Sequence, residues 1–295
     1  MTLLVEAANP SPAKPWPARV WRFPLTRIAI AFLCVGAPVA LAGALSKLAL
    51  PGAAWRELRM SFGVLVLLAA YAAYVRFVER RPVTELALRG AWKEVGAGLL
   101  MGGLLFASVM GVLAALGALH VAGRNPASAA ASMLPALGLA AIGEEIMFRG
   151  VIFRILEAWL GSWIALALSA LLFGFAHAGN PGASVLTSSA VAIEAGVLLG
   201  AAYMLTRRLW LVMALHFAWN YTQGGVFSIA VSGVASQGLL STQLSGPDWL
   251  TGGAFGAEAS VVAVACCVLL CGVLLAIVAR QGRFVPAFWR RRTLA

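Results

Sequence analysis

Apolar segments about as long as a bilayer is thick recur along this chain, and most charged residues fall in the gaps between them. Since a transmembrane helix needs about 20 mainly apolar residues, this pattern predicts a polytopic membrane protein. Only 11% of the residues are charged and 61% are hydrophobic, whereas about 25% are charged in a typical soluble domain. We therefore predict an all-α fold, a bundle of about eight transmembrane helices with a short interfacial helix.

Turn-forming or charged residues separate the predicted spans. The spans cover residues 28–45, 60–78, 95–121, 128–160, 162–178, 185–205, 209–230 and 259–279. Between the second and third, residues 79–94 alternate charges with Val83, Leu86, Leu88 and Trp92. That alternation is typical of a short helix lying on the membrane surface.

The net charge of +11 raises the question of a nucleic-acid partner. The lysines and arginines instead differ in number between the two sides of the membrane that the predicted spans define. Leaving out Arg149 and Arg154 of the motif helix, sixteen lie on the side of the termini, and four lie on the other side: Lys47, Arg56, Arg59 and Arg124. Because cytoplasmic loops of membrane proteins are enriched in these residues, we predict that both termini are cytoplasmic and that no nucleic acid is bound.

The sequence GEEIMFRG at 143–150 places two carboxylates and an arginine after sixteen uncharged residues, Ala127 to Ile142. Ionisable groups at such depth are costly and mark functional sites. Glu145 and Arg149 are one helical turn apart and can pair. Glu144 points about 100° around the helix, so it is predicted to be the unpaired carboxylate.

Two more pairs of residues share a helix face at the same spacing: Phe173 with His177, and His216 with Asn220. Glu144 and His177 lie equally far along their helices from the turn that joins them, and His216 lies 8 residues after a dibasic turn. These counts place the three groups at one depth, and we expect their site to open toward the cytoplasm.

A carboxylate and a neutral imidazole can activate a water, and a second histidine with an asparagine can stabilise an oxyanion. Peptide-bond hydrolysis inside the membrane fits this set best. Other interpretations stay open: interhelical hydrogen bonds for the histidines and Asn220, a structural role for Glu145 with Arg149, and zinc ligation by the Glu and His residues. Glu194 is either a substrate-binding carboxylate or a helix-packing group.

In order, EExxxR at 144–149, FxxxH at 173–177 and HxxxN at 216–220 resemble the three motifs of the CAAX protease and bacteriocin-processing family. This family is also called Abi or type II CAAX prenyl endopeptidases. The resemblance implies that Glu144 activates water with His177 as its partner, and that His216 and Asn220 stabilise the oxyanion. Glu145 and Arg149 match the family's supporting pair, to which we add Phe173.

The resulting hypothesis is a glutamate-type intramembrane endopeptidase of the bacterial inner membrane. It needs no cofactor, and zinc is kept as an alternative. Its predicted partners are membrane lipids and a membrane-embedded or lipid-adjacent protein or peptide substrate. A non-catalytic bacteriocin-immunity or scaffolding protein, or a proton-coupled transporter, would carry the same polar residues.

This hypothesis divides the chain into five regions. They are a flexible cytoplasmic tail (1–25), N-terminal transmembrane helices (26–125), a catalytic membrane core (126–230), a non-cytoplasmic loop (231–258), and the last transmembrane helix with a basic tail (259–295).

Overall fold

A computed structural model describes residues 23–291, and nearly all regular structure in them is helical. The predicted all-α class is confirmed. The predicted N-terminal tail lies almost entirely outside the described residues, as does the end of the basic tail. The α-helices are α1 Pro24–Ala49, α2 Arg56–Ala73, α3 Ala91–Ala115, α4 Ala127–Glu145, α5 Arg154–Leu160, α6 Ser162–Ala176, α7 Val185–Val191, α8 Leu198–Thr206, α9 Leu209–Asn220, α10 Asp248–Thr251, α11 Val261–Arg280 and α12 Phe288–Arg291.

Several of these helices are joined or extended by π-helical turns, in which the backbone is wound more widely. Such turns lie at Tyr74–Val78, Ile146–Phe153, Ala192–Val197 and Tyr221–Val226. Helix α2 thus continues to Val78, and α4 continues through the second π-helical turn into α5. Helix α7 likewise continues into α8.

Five helices in residues 23–291 are long and apolar enough to cross a membrane: Pro24–Ala49, Ala53–Val78, Ala91–Ala115, Val185–Thr206 and Val261–Arg280. Helices also occupy the other three predicted positions. Of these, the helix that carries the 144–149 motif contains charged residues. Helix α6 is apolar but has only 15 residues, since it ends at Ala176. The chain is therefore an integral membrane helix bundle.

Successive helices alternate in direction and define two ends of the bundle. The terminus end holds the start of α1, the end of α11 and a belt of ion pairs. In this belt, Arg27 and Arg154 both bind Glu79, and Arg207 binds Glu157. The distal end holds the loops 50–55, 116–126, 177–184 and 227–260.

Glu79 is the centre of this belt. Its side chain is almost fully buried and lies 2.6 Å from Arg27, 2.7 Å from Arg154 and 2.8 Å from Arg81. Burial alone would raise the pKa of Glu79, but the three guanidinium groups outweigh it and lower the pKa from 4.5 to about 2.

We expect acid to weaken the fold through Glu79. A depressed carboxyl pKa contributes stability that is complete above the unfolded pKa near 4.5 and is lost as the pH falls toward 2. The thermal unfolding temperature in detergent should therefore drop more between pH 5 and pH 3 in wild type than in Glu79→Gln. Equal slopes in the two proteins would contradict this origin of the acid sensitivity.

The interfacial helix predicted over residues 79–94 is reduced to one 3-10 turn, Thr84–Leu86. Two features prevent a regular helix here. Pro82 lacks a backbone donor, and Gly90 adopts a left-handed conformation, φ 76°, immediately before α3. Glu85 is drawn inward to within 2.8 Å of Arg81 and is only 3% exposed.

A two-stranded antiparallel sheet, which the sequence analysis did not predict, joins two distal loops. Strand β1, Leu119–Arg124, pairs with strand β2, Leu240–Leu244, and the register shifts between Val121 and Gly123. The residues between β2 and α11 also contain α10 and the 3-10 turns Gly253–Phe255 and Ala257–Ala259. The distal loop is therefore an ordered layer that packs onto the helices.

Glycines allow α3 to approach α9 closely. A Cβ on Gly98 would lie 2.4 Å from the Leu211 carbonyl oxygen, and one on Gly102 would lie 2.2 Å from that of Leu215. Phe106 continues the contact as an edge-to-face pair with Trp219. Helix α9 carries His216 and Asn220, so α3 fixes the position of two motif residues although it lies outside the motif region.

We expect Gly102→Ala to destabilise the bundle by about 1–3 kcal/mol, as overpacking of a close contact usually does. Gly111→Ala in the same helix is the matched control, because no atom lies within 4 Å of its added Cβ. The control should be neutral or slightly stabilising, since Ala is the better helix former. Thermal unfolding in detergent measures both, and equal effects would contradict the close approach.

Candidate active site

The structure brings the polar residues of three separate helices to one place. Oε2 of Glu144, near the end of α4, lies 3.7 Å from Nε2 of His177 and 3.9 Å from Nε2 of His216. Among residues 23–291 this buried oxygen has no hydrogen-bond partner. One water can therefore hydrogen-bond to Glu144 and to a histidine at the same time, at about 2.8 Å from each.

A hydrogen bond from the Nδ1 atom fixes the orientation of each histidine ring. Nδ1 of His177 lies 2.9 Å from the Phe173 carbonyl oxygen, which can only accept a hydrogen bond, so Nδ1 carries the proton. Nδ1 of His216 lies 2.8 Å from Oε1 of Glu145 and donates to it. Both Nε2 atoms are thereby directed toward Glu144.

Glu145 and Arg149 form the ion pair that their spacing predicts. Arg149 Nη1 donates to Glu145 Oε1 at 2.9 Å, and both side chains are fully buried. Nη2 of Arg149 donates to the backbone carbonyls of Ala195 and Gly196 at 3.0 and 3.2 Å. The pair thus ties the motif helix to the π-helical turn between α7 and α8, and it gives His216 its acceptor.

Phe173 lies at the centre of this arrangement and is 1% exposed. The Arg149 guanidinium lies 4.5 Å from its ring centroid, and the rings of His177 and His216 lie 5.1 and 5.9 Å away. Phe148 packs against it edge to face. Phe173 therefore packs against the buried arginine and both imidazoles, and it limits the orientations of both imidazole rings.

Two π-helical turns begin directly after motif residues: Ile146–Phe153 follows Glu145, and Tyr221–Val226 follows Asn220. A third, Ala192–Val197, contains Glu194. Such turns are rare and frequently lie at functional sites. Here the turn Ala192–Val197 supplies the carbonyls that accept from Arg149.

Glu194 lies behind the histidines and not beside Glu144. It is 2% exposed, and its Oε2 accepts from the Cys267 thiol at 3.6 Å. With His177, His216, Asn220 and Glu258 it lines a small cavity of about 20 Å³, which is enough space for roughly one water. Glu194 therefore contacts the site through this small cavity.

Glu258 is the carboxylate that the sequence analysis missed. It is 2% exposed, and its Oε1 accepts from the backbone N–H and the hydroxyl of Ser232 at 2.8 and 2.9 Å. Burial raises the pKa of Glu258, while the Ser232 hydrogen bonds oppose the rise. Its position directly before the last apolar span could have marked Glu258 as a candidate site residue. No spacing in the sequence, however, indicates that it lies near residues 177 or 216.

A larger cavity of about 600 Å³ leads to Glu144, His177, His216 and Asn220. Its walls come from the first half of α4 and from residues 231–237, and Arg56 lies at its edge. All these elements belong to the distal end. The expected opening on the side of the termini is therefore wrong: the cavity opens at the other end of the bundle.

The helix packing accounts for the end at which the cavity opens. At the terminus end the helices are held together by Glu157 with Arg207, and by Arg207 with the Arg283 carbonyl oxygen. At the distal end, the first half of α4 stands apart from the 231–237 segment and leaves the cavity. Counting residues along straight helices gives a depth, but it does not show at which end the helices separate.

Within residues 23–291, no group of three or more His, Cys, Asp and Glu side chains is placed to hold a metal ion. Nε2 of His177 and of His216 lie 3.7 and 3.9 Å from Glu144 Oε2, distances suited to a shared water.

Part of the chain is similar to a known family. The family model described as Rce1-like, type II CAAX prenyl endopeptidase Rce1-like, matches residues 126–222. No curated protein matches the chain, and no solved structure does. The matched segment runs from the residue before α4 into the π-helical turn after Asn220, so it contains all three motifs.

Proposed function

Because residues 126–222 match the family model of the type II CAAX prenyl endopeptidase Rce1-like family, we propose that this membrane protein is a glutamate-type intramembrane endopeptidase. The observation that carries the proposal is the position of Glu144, whose free oxygen faces the Nε2 atoms of two oriented histidines. The substrate is a peptide bond in a membrane-associated protein or peptide, and the setting is the bacterial inner membrane.

In the proposed reaction Glu144 is the general base. It takes a proton from a water that His177 Nε2 orients, and the resulting hydroxide attacks the scissile carbonyl carbon. The new C–O bond converts the carbonyl oxygen into an oxyanion. Breaking the C–N bond releases the amine, which receives the proton that Glu144 took. A positioned base of this kind contributes about 10²–10⁴-fold to the rate.

His216 and Asn220 serve the oxyanion. Glu145 accepts from His216 Nδ1, so a second proton on Nε2 is balanced by a carboxylate and can be donated to the oxyanion. Asn220 lines both cavities beside His216, and its amide supplies a second donor. Removing one donor of this type usually lowers kcat about 10²–10³-fold.

Protein side chains and water are sufficient for this reaction. We therefore expect the purified protein to keep its activity after treatment with EDTA and with 1,10-phenanthroline, measured as cleavage of the substrate peptide. Loss of activity on chelation, with recovery on adding Zn²⁺, would instead assign Glu144 and the histidines as metal ligands.

The function is tested by comparing protein termini in membranes from cells that express wild type or His177→Ala at equal levels. Phe175→Ala is the matched control, since Phe175 lies on the same helix with its side chain 45% exposed. The proposal requires uncleaved precursors to accumulate with His177→Ala and not with the control. If no terminus differs and both variants restore the phenotype of a deletion strain, the protein is a scaffold or immunity protein.

A further inference from the structure

The entrance of the cavity that leads to Glu144, called its mouth below, is formed by residues at the distal end. Arg56 at the start of α2, Ala129 and Ser132 in the first turns of α4, and Gln237 in the distal loop all line it. Ligand pockets commonly have volumes of about 300–1,000 Å³, so a cavity of about 600 Å³ can hold a short extended peptide segment.

The two ends of the bundle differ strongly in positive charge. Among residues 23–291, the terminus end carries Arg27, the arginines and lysine of 76–93, Arg207, Arg208, Arg280, Arg283 and Arg290. The distal end of the same residues carries four, which are Lys47, Arg56, Arg59 and Arg124. By the positive-inside rule the terminus end faces the cytoplasm, so the distal end, with the cavity mouth, faces away from it.

Among the described residues that line this cavity, Arg56 is the one lysine or arginine. Its side chain is exposed, and in the described part of the chain it makes no ion pair or hydrogen bond. The neighbouring Arg59, by contrast, donates to the carbonyls of Leu50 and Gly52. Arg56 is thus a free guanidinium, which suits a carboxylate.

We propose that the substrate enters from the non-cytoplasmic face as an extended peptide segment, with a carboxylate paired to Arg56 and the scissile bond at Glu144. This substrate class rests on the proposed function, but the access side does not. The carboxylate comes either from an acidic side chain or from a free C-terminus. Both sources share the chemistry that Arg56 recognises.

The access side is tested with single cysteines and a membrane-impermeant maleimide, in a chain whose Cys34 and Cys266 are replaced by Ala. Gln237→Cys reports the cavity mouth, and Leu88→Cys, at an exposed position of the terminus end, is the control. We expect Gln237→Cys to react in intact spheroplasts and Leu88→Cys only after permeabilisation. The reverse pattern overturns the proposal. Labelling needs no hydrolysis, so this result is independent of whether the protein is a protease.

The role of Arg56 is tested on a peptide cleaved by the wild type. Arg56→Gln should raise KM about three- to tenfold with little change in kcat, Arg56→Lys should restore most of the loss, and Arg124→Gln should match wild type. Amidating the C-terminus of the peptide, or changing its acidic side chain to the amide, identifies the carboxylate by cancelling the effect of Arg56→Gln. An unchanged KM in Arg56→Gln refutes the pairing.

Discussion

Glu144→Gln should lower the rate of peptide hydrolysis by at least about 100-fold while leaving the folded protein intact. The amide cannot accept the proton of the attacking water, and a positioned general base contributes about 10²–10⁴-fold. Stability should not change, because the Glu144 side chain is 31% exposed and Oε2 makes no hydrogen bond with any described residue. The measurements are the cleavage rate of the substrate peptide and the unfolding temperature in detergent.

Glu57→Gln is the control for this prediction. Glu57 is a carboxylate in the first turn of α2, at the same end of the bundle as the cavity mouth, but it does not line the cavity. The control should retain the wild-type rate. A Glu144→Gln protein that is folded and cleaves at the wild-type rate would exclude Glu144 as the base.

The second large effect concerns stability. Arg149→Met should lower the free energy of unfolding by about 3–5 kcal/mol, because removing one partner leaves the other charge buried without compensation. Glu145 would keep only its contact with His216, and the carbonyls of Ala195 and Gly196 would lose their donor. Protein abundance in membranes and the unfolding temperature in detergent measure this loss.

A double variant separates charge from packing. Replacing Glu145 by Gln together with Arg149→Met removes both charges, so it should recover part of the stability lost in the single variant. Arg89→Met, at an exposed position, should be close to wild type. If the double variant is as unstable as the sum of its two single variants, the ion pair is not the source of the loss.

The local part of the site could be predicted from the sequence. A spacing of four residues places Glu145 beside Arg149 and Phe173 beside His177, because side chains one turn apart share a helix face. The same geometry directs Glu144 away from the ion pair. Charge distribution and the long apolar runs were sufficient for the fold class. These inferences depend only on helix periodicity and on the cost of burying charge.

Contacts between distant segments could not be predicted in this way. Glu258 reaches the small cavity, and Arg56 reaches the large one, only because the distal loops and α2 pack around α4 and α9. The end at which the cavity opens depends on how far the helices separate at each end of the bundle. The periodicity of a sequence gives no information about that separation. The interfacial helix is a different case, because Pro82 and Gly90, which prevent it, are visible in the sequence, and only the pairing of Glu85 with Arg154 on another helix could not be predicted.

The pairing of β1 with β2 bears on how this protein can be divided. Strand β1 ends before residue 126 and β2 begins after residue 222. The two strands therefore flank the segment that matches the family and pair with each other outside it. A fragment cut at those two positions would lose both strands and the α3 surface that fits against α9. The motif-bearing segment is therefore a region of homology and not an excisable domain, and tags or truncations belong at the terminus end.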